Sequence, residues 1–258
     1  MDSEDAVQEV LLSYTQKKPQ HVEDETKYLA KAVIYKTLDV LQKKAQVKYI
    51  GTSLPEPLTD PVLLADMRQD VTYGTLLLLR ELNPLERAAF VLKECFDFEY
   101  DELASILEQT PTYCRQLLHR AKEKIRSREA KGNYTGDAQQ FQQLFMRASQ
   151  SGDLEELIAH LQRDIVVYSD GGGKVKSGVK PVVGIEYVTR FIGSLQKRIQ
   201  GQVVMQPVHV NHQSGLALIS KHTGQIDTLV VIETNGNLIS NLYLVRNPDK
   251  LKAVRFFY

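Results

Sequence analysis

The sequence has little cysteine, no long apolar run and no net charge. Cys95 and Cys114 are its only two cysteines, so we expect reduced thiols packed in a core and not a redox switch. No stretch approaches the roughly 18 apolar residues that a membrane span needs. The acidic start, Met1 to Asp5, has the wrong charge for a signal peptide. We therefore expect a cytoplasmic chain without a membrane partner.

The lack of net charge conceals an uneven distribution. The chain carries 32 Lys and Arg against 32 Asp and Glu, but a basic segment after residue 110 lies beside neutral or acidic ones. A length of 258 residues suggests about two domains, and a hydrophobic content of 43% is enough to bury real cores.

The stretch from Leu82 to Arg128 is the most informative, because it predicts two short capped helices and a third with a polar, basic face. Asn83 is the predicted N-cap of the first helix, with Glu86 in the capping-box position. A second helix begins near Glu99, and Thr110 caps the third. This arrangement is typical of a helix-turn-helix.

The third helix has two chemically different faces. Its apolar stripe consists of Cys114, Leu117, Leu118, Ala121 and Ile125. The opposite face, which we call the recognition face, carries Thr112, Tyr113, Arg115, Gln116, His119 and Arg120. Arg and Gln side chains read bases in the major groove, and the others can bind phosphate. We predict DNA binding there, with Lys122, Lys124, Arg126 and Arg128 continuing the positive charge. The alternative is a solvated face of a helical bundle.

A family resemblance favours DNA binding. The runs Leu82 to Leu92, Tyr100 to Leu107 and Cys114 to Ala121 resemble region four of bacterial sigma-70 family factors of the extracytoplasmic-function (ECF) type. The resemblance implies binding to the promoter -35 element and docking on the flap of the RNA polymerase beta subunit. Glu108 stands where the family has a glycine, so the turn must form without the positive φ that glycine adopts readily.

Two amphipathic helices are predicted upstream, from Ser3 to about Tyr14 and from about Asp24 to Lys44. The first resembles the sigma region-two helix that binds the clamp helices of the beta-prime subunit, which makes Asp5, Gln8 and Glu9 the expected polymerase contacts. The next helix would then face the -10 element. The family's first region-two helices are missing, so either the coding sequence starts further upstream or region two is incomplete.

The segment from Tyr49 to Asp70 lacks periodicity and is rich in proline, which predicts a linker. Ser53 to Pro57 resembles a signature of the ECF subgroup that has a SnoaL-like C-terminal extension, and the loops at Asp170 to Val175 and Asn247 to Leu251 resemble its partner signatures. In that subgroup the extension is thought to regulate the sigma modules in cis. The resemblance implies regulatory roles for Leu54, Pro55, Glu56, Pro57, Asp170, Gly171, Gly172, Gly173, Asn247, Pro248, Asp249 and Lys250.

The chain after about Asn133 predicts an α+β domain. Three helices are indicated by apolar spacing, the second of them by Leu154, Leu157, Ile158 and Leu161. The predicted strands are 165–169, 203–210, 215–221, 228–233 and 238–246, with Asn235-Gly236 as a two-residue hairpin turn. Helices on a curved, mainly antiparallel sheet form the cone of nuclear-transport-factor-two-like and SnoaL-like domains.

Such cones enclose a pocket, so an unknown small ligand is one expected partner. A general base there would come from Asp164, Asp170, His209 or Tyr243, but no spacing singles out a dyad. We predict no catalysis, cofactor or metal.

The sequence thus predicts a multidomain protein, with a partial all-α sigma region two at 1–48, a linker at 49–70, a region-four helix-turn-helix at 71–131 and a SnoaL-like α+β cone at 132–258. The predicted function is transcription initiation with promoter DNA and core RNA polymerase as partners. Two alternatives stay open: a SnoaL-like enzyme or ligand-binding protein with a degenerate sigma portion, and a DNA-binding regulator that never enters a holoenzyme.

Overall fold

The computed structural model describes residues 3–17, 22, 25–44, 52–60, 72–95, 97–127 and 138–256. Arg128 and the parts 49–51 and 61–70 of the predicted linker lie outside the described residues. Contacts divide the chain into two compact units. The first consists of Met1–Lys48 and Leu82–Lys124, and the second of Tyr49–Glu81 and Ile125–Tyr258. Among the described residues, no helix combines the length and apolar composition that crossing a bilayer requires.

The first unit begins with helices α1 (Ser3–Lys17) and α2 (Glu25–Lys44). They run in opposite directions, since Glu9 of α1 forms an ion pair with Lys36 while the rings of Tyr14 and Tyr28 lie 5.6 Å apart. Both helices agree with the predicted pair of amphipathic segments.

Three further helices complete the first unit: α4 (Pro84–Phe90), which continues into a π-helical turn at Val91–Cys95, α5 (Tyr100–Leu107) and α6 (Pro111–Arg126). The capping box predicted for Asn83 and Glu86 forms in α4, with the Glu86 amide 2.9 Å from Asn83 Oδ1. The core contains Ala89, Leu92, Leu103, Ile106, Leu107, Cys114 and Leu117. The Cys114 thiol is fully buried, and burial raises its pKa.

The second unit contains α3 (Tyr73–Leu78), a 3₁₀ turn at Leu79–Glu81, and the C-terminal α+β domain. That domain has helices α7 (Ala138–Ser151), α8 (Glu155–Ala159), α9 (Ile185–Ile199) and α10 (Pro248–Leu251). Its strands are β1 (Leu161–Asp170), β2 (Val182–Val183), β3 (Val203–Val210), β4 (Gln213–Ser220), β5 (Ile226–Asn235) and β6 (Leu238–Val245).

The strands form one sheet in the order β2-β1-β6-β5-β4-β3. All neighbours are antiparallel except β1 and β6, which are parallel. Asn235 pairs with Leu238, so the β5–β6 loop is Gly236 and Asn237 and not the predicted Asn235-Gly236. Gly236 adopts φ of +58°, so the glycine still supplies the left-handed conformation that the turn needs. Leu161, predicted to end the second helix, begins β1 instead.

Both faces of the sheet are covered, because side chains alternate along each strand. In β5, Val230 and Ile232 pack under the helices α7, α8 and α9, in a core that also holds Phe141, Leu157 and Val188. Leu229 and Val231 lie on the opposite face, where they pack with Leu54, Tyr73, Tyr243, Leu251 and Val254. The described part of the predicted linker is thus one layer of the second unit.

Candidate DNA-binding surface and linker-binding site

A tight turn after α5 sets the start of α6. Glu108 adopts the left-handed conformation at φ of +53°, and the amide of Gln109 donates to the Ala104 carbonyl at 3.0 Å. Glutamate thus takes the conformation that glycine adopts more readily in the same place. The predicted cap forms, since Thr110 Oγ1 accepts a hydrogen bond from the Tyr113 amide at 3.2 Å.

The recognition face of α6 is exposed as predicted. Thr112, Arg115, Gln116, His119 and Arg120 are exposed, and Tyr113 is half-buried. The opposite stripe is packed into the protein, with Cys114 and Ala121 fully buried. This separation follows from helical spacing, because positions three and four residues apart share a face.

Contacts within the first unit orient several side chains of this face. The Arg115 guanidinium carbon lies 4.8 Å from the ring centroid of Tyr100, and that of Arg120 lies 5.4 Å from the ring of Tyr113. Arg120 Nε also donates to the Gln116 carbonyl at 3.4 Å. His119 Nε2 is 3.6 Å from a carboxylate oxygen of Glu123.

Two of the lysines that were expected to extend the positive charge are neutralised. Lys122 pairs with Glu94 and Lys124 with the buried Glu86, both at 2.7 Å. These ion pairs reduce what the two lysines add to the positive charge of α6, because acidic side chains of α4 and the π-helical turn approach them.

The expected polymerase contacts lie on the outer side of α1. Asp5, Gln8 and Glu9 are exposed, whereas Ala6 between them is buried. Glu9 is paired with Lys36 of α2, so its carboxylate is partly neutralised. Their role in polymerase binding stays a prediction.

In the second unit, Asp170 and Lys250 form the centre of a linker-binding site for the segment 52–60. The side chain of Asp170, at the end of β1, is 1% exposed, and its Oδ2 lies 2.7 Å from Lys250 Nζ. The same oxygen accepts from the Leu54 amide at 3.0 Å, and Lys250 Nζ donates to the Leu54 carbonyl. Both backbone groups of Leu54 are thus bound by this ion pair, and the Leu54 side chain is fully buried.

The glycine-rich loop gives Asp170 and the loop before α10 room to approach. Gly172 adopts φ of +61° and donates its amide to Asp170 Oδ1 at 2.8 Å. A Cβ at Gly172 would overlap the side-chain amide of Asn247, so the position excludes a side chain. Asn247 Oδ1 in turn caps α10 by accepting from the Asp249 amide at 3.1 Å.

The structure therefore brings together the three predicted signatures. Lys174 also pairs with Asp249 at the surface, which joins the glycine-rich loop to α10. Within the linker segment, Pro55 and Pro57 are buried, but Glu56 is exposed. The Pro55 carbonyl accepts a hydrogen bond from the Tyr73 hydroxyl at 2.6 Å.

Sequence reasoning missed several residues that hold the linker. Tyr73 is fully buried, and its burial raises the pKa of its hydroxyl, with a further contribution from Asp170. Asn211 lies in the turn after β3. Its side-chain Oδ1 accepts a hydrogen bond from the Leu58 amide at 3.1 Å, and its backbone amide donates to the Leu58 carbonyl at 2.9 Å. Neither residue lies in a recognisable motif, and their partners in the linker are 18 positions away for Tyr73 and 153 positions away for Asn211.

A buried carboxylate lies under the start of α3. Glu233 of β5 is 4% exposed and accepts from Asn241 Nδ2 and from the Tyr243 hydroxyl, both at 2.6 Å. A Cβ at Gly74 would overlap Glu233 Oε1, so glycine permits this close approach. The Tyr243 ring also lies between Tyr73, at 5.2 Å, and Tyr168, at 5.4 Å.

An apolar cavity lies on the helical side of the sheet, with a volume of about 50 Å³. Its lining includes Phe145, Phe191, Leu218 and Leu242, and Gln196 supplies its polar group. None of the four general-base candidates, Asp164, Asp170, His209 and Tyr243, lines it. Asp164 and His209 are exposed, whereas Asp170 and Tyr243 are bound to other residues. This cavity has the chemistry of an apolar binding site and lacks the predicted acid–base groups.

These features define a helix-turn-helix protein with an α+β C-terminal domain that binds the linker segment. Residues 75–125 match the family described as sigma-70, region 4. The ECF RNA polymerase sigma factor SigJ of Mycobacterium tuberculosis is 28% identical, over 96% of this chain and 85% of that protein. A probable ECF RNA polymerase sigma factor, SigI of the same organism, is 27% identical over 76% of this chain and 65% of that protein.

The fold agrees with these relationships. The crystal structure of M. tuberculosis SigJ aligns with a TM-score of 0.78 at 26% identity, covering 98% of this chain and 91% of that one. The resemblance to ECF-type sigma-70 family factors with a SnoaL-like extension, which the sequence indicated, is confirmed, and so is the fold class. The domain bounds and the individual site residues stay predictions.

Proposed function

We propose that this chain is a sigma-type transcription initiation factor that binds promoter DNA through the recognition face of α6. The observation that supports this most strongly is the exposure of Arg115, Gln116, His119 and Arg120 on one helix face, within the segment that matches sigma-70 region 4. Arginine and glutamine can form bidentate hydrogen bonds with guanine and adenine in the major groove.

Core RNA polymerase is the second proposed partner. The SigJ and SigI relatives are named as RNA polymerase sigma factors, and that property is carried to this chain as part of the proposal. Asp5, Gln8 and Glu9 would bind the beta-prime clamp, and the region-four unit would dock on the beta flap. Because these partners act on the chromosome, we propose a cytoplasmic location.

The C-terminal domain is proposed to regulate the sigma modules in cis by holding the linker segment. A tethered segment acts at an effective concentration of millimolar order, so weak contacts suffice to bias two arrangements. The contacts of Asp170 and Lys250 with Leu54 are the proposed switch point. They connect the C-terminal domain to the linker, which lies between the two sigma modules in the sequence. With the linker held, the protein is inhibited, and with the linker released it is ready for polymerase.

In vitro transcription with purified core polymerase tests both parts. The full chain should initiate from a promoter selected from genomic fragments, and Arg115→Ala should abolish or reduce initiation there. Lys250→Ala should raise the output, since it frees Leu54. Lys174→Ala is the matched control, because its ion pair with Asp249 is exposed and does not contact the linker. If Lys250→Ala leaves the amount of transcript unchanged, the proposed regulation in cis is contradicted.

A second candidate function, the binding of a small ligand, is favoured by the apolar cavity under α7, α8 and α9. The lining would accept a neutral apolar molecule, and Gln196 is the polar side chain among the described residues that line the cavity. Soaking the protein with xenon and small aromatic compounds, and measuring thermal stabilisation, would test it. We do not propose catalysis, because the candidate bases lie outside this lining.

A further inference from the structure

Tyr100 is the residue that brings an aromatic ring from a second helix against the recognition face. It is the first residue of α5, whereas Arg115 lies on α6, and the Arg115 guanidinium carbon is 4.8 Å from the Tyr100 ring centroid. Lys93 Nζ, from the π-helical turn, is 5.6 Å from the same centroid. The ring thus links three segments of the first unit.

The other ring on this face is placed differently. Tyr113, which lies near Arg120, belongs to α6 itself. A contact within one helix leaves the arginine free to move with that helix, whereas a contact from α5 fixes the side chain relative to the helix-turn-helix. Tyr100 is held in place by α5, whose capping box at Glu99 and Glu102 sets the position of its first turn.

The chemistry of arginine makes this contact useful for recognition. A guanidinium stacks on an aromatic ring through its flat face, and its N–H groups project from its edge. Within the described part of the chain, no hydrogen bond or ion pair occupies the Arg115 N–H groups. With its guanidinium against the Tyr100 ring, Arg115 keeps its donors available and loses less side-chain freedom when it binds two acceptors.

We propose that Tyr100 is a positioning residue that fixes the plane of the Arg115 guanidinium for a pair of acceptors on DNA. Those acceptors are guanine O6 and N7 in the major groove or two oxygens of a phosphate. This inference deepens the proposed DNA binding and rests on it. Tyr100 itself acts through Arg115 and need not touch the DNA.

The test is a double-mutant cycle in the full chain. Binding is measured on a randomised DNA duplex library, at low ionic strength and over a salt series, for wild type, Tyr100→Ala, Arg115→Ala and the double variant. We expect Tyr100→Ala to weaken binding about two- to fivefold. In the Arg115→Ala background the same change should have almost no effect, because the group that it positions is gone. Tyr100→Phe should bind as wild type, since it keeps the ring.

Two further variants separate positioning from a simple loss of structure. Tyr100→Leu keeps an apolar side chain of similar reach but not the ring, so it should bind like Tyr100→Ala while melting like wild type. Tyr187→Ala removes an exposed ring of the second unit that lies 5.9 Å from the Arg190 guanidinium carbon, and it should leave DNA affinity unchanged. If Arg115 contacts a guanine, both Tyr100→Ala and Arg115→Ala should lose sequence preference at one base position. If it contacts a phosphate, both should weaken binding equally for all sequences.

Three results would overturn the inference. If Tyr100→Ala lowers DNA affinity by the same factor in the wild-type and Arg115→Ala backgrounds, Tyr100 acts independently of Arg115. A loss of DNA affinity in Tyr100→Phe would show that the Tyr100 hydroxyl itself contacts the DNA. If wild type does not bind, or if Arg115→Ala binds as wild type, the proposed DNA contact fails and the inference falls with it.

Discussion

The recognition face and the linker-binding site differ in whether their charged groups already have partners. Arg115 is exposed, its guanidinium carbon is 4.8 Å from the Tyr100 ring centroid, and no described residue forms a hydrogen bond or ion pair with its N–H groups. Asp170 is 1% exposed, and each of its carboxylate oxygens accepts a hydrogen bond from the backbone. The first arrangement suits an external ligand. The second already has its ligand within the same chain, and the proposed regulation requires that contact to be released.

This difference predicts opposite responses to substitution. Changes at the linker-binding site should alter stability and the release of the linker, because they remove buried partners. Changes on the recognition face should alter DNA affinity and leave stability almost unchanged, because the side chains there are exposed.

The largest effect is expected from Asp170→Ala. The change leaves the Lys250 ammonium without its buried counter-ion and the Leu54 amide without its acceptor, which should destabilise the second unit by about 3 to 5 kcal/mol. Urea denaturation measures the loss, and hydrogen exchange at the Leu54 amide should become faster. The control is Asp249→Ala, which removes an exposed partner of Lys174 and should leave the free energy of unfolding almost unchanged. Equal losses in the two variants would contradict a special role for the buried pair.

Arg115→Ala should weaken binding to promoter DNA by about 1 to 3 kcal/mol if the side chain reads a base. Its melting temperature should equal that of wild type, because the side chain is exposed. Fluorescence anisotropy with duplex DNA measures the affinity. Arg190→Ala, an exposed arginine in the second unit, is the matched control and should bind as wild type. Unchanged affinity in Arg115→Ala would remove this residue from the interface.

Gly172→Ala should destabilise the second unit by about 1 to 3 kcal/mol, because it forces a side chain into the left-handed region and towards Asn247. Gly224→Ala separates these causes, since Gly224 has φ of +68° but no atom lies within 4 Å of the place that its Cβ would take. The difference between the losses in unfolding free energy caused by the two substitutions measures the contribution of the close approach to Asn247. If the two losses are the same, the contact with Asn247 has no energetic role.

Tyr73→Phe should cost about 1 kcal/mol, because the Pro55 carbonyl loses its buried donor. The two proteins should also differ in their response to alkali. Because the Tyr73 pKa is raised in the folded state, folding keeps a proton that the unfolded chain loses above a pH of about 10. Wild-type stability should therefore fall more steeply with rising pH than that of Tyr73→Phe. Parallel curves from pH-dependent urea denaturation would contradict this linkage.

The sequence predicted elements that depend on local spacing and caps. The bounds of β3 and the start of α6 at Pro111 follow from alternation and from the Thr110 cap, and the structure agrees. The Asn235-Gly236 turn was displaced by one residue, because the register of β5 against β6 decides which residues form the loop. Leu161 was assigned to a helix because its apolar spacing continues that of Leu157, although it begins β1.

Contacts between distant segments could not be predicted from spacing. The resemblance singled out Leu54, Asp170 and Lys250, but only the fold shows that one ion pair binds both backbone groups of Leu54. Glu233 and Tyr73 belong to no motif, and their partners are brought close by the sheet and α3. The neutralisation of Lys122 and Lys124 also depends on packing between helices and not on the composition of α6.

Footprinting on genomic DNA fragments at low ionic strength, with and without core RNA polymerase, tests the central claim most directly. If the recognition face binds promoter DNA, the wild-type chain should protect a defined duplex segment under at least one of these conditions, and Arg115→Ala should lose or broaden that protection. The absence of protection by the wild-type chain under both conditions would contradict the account.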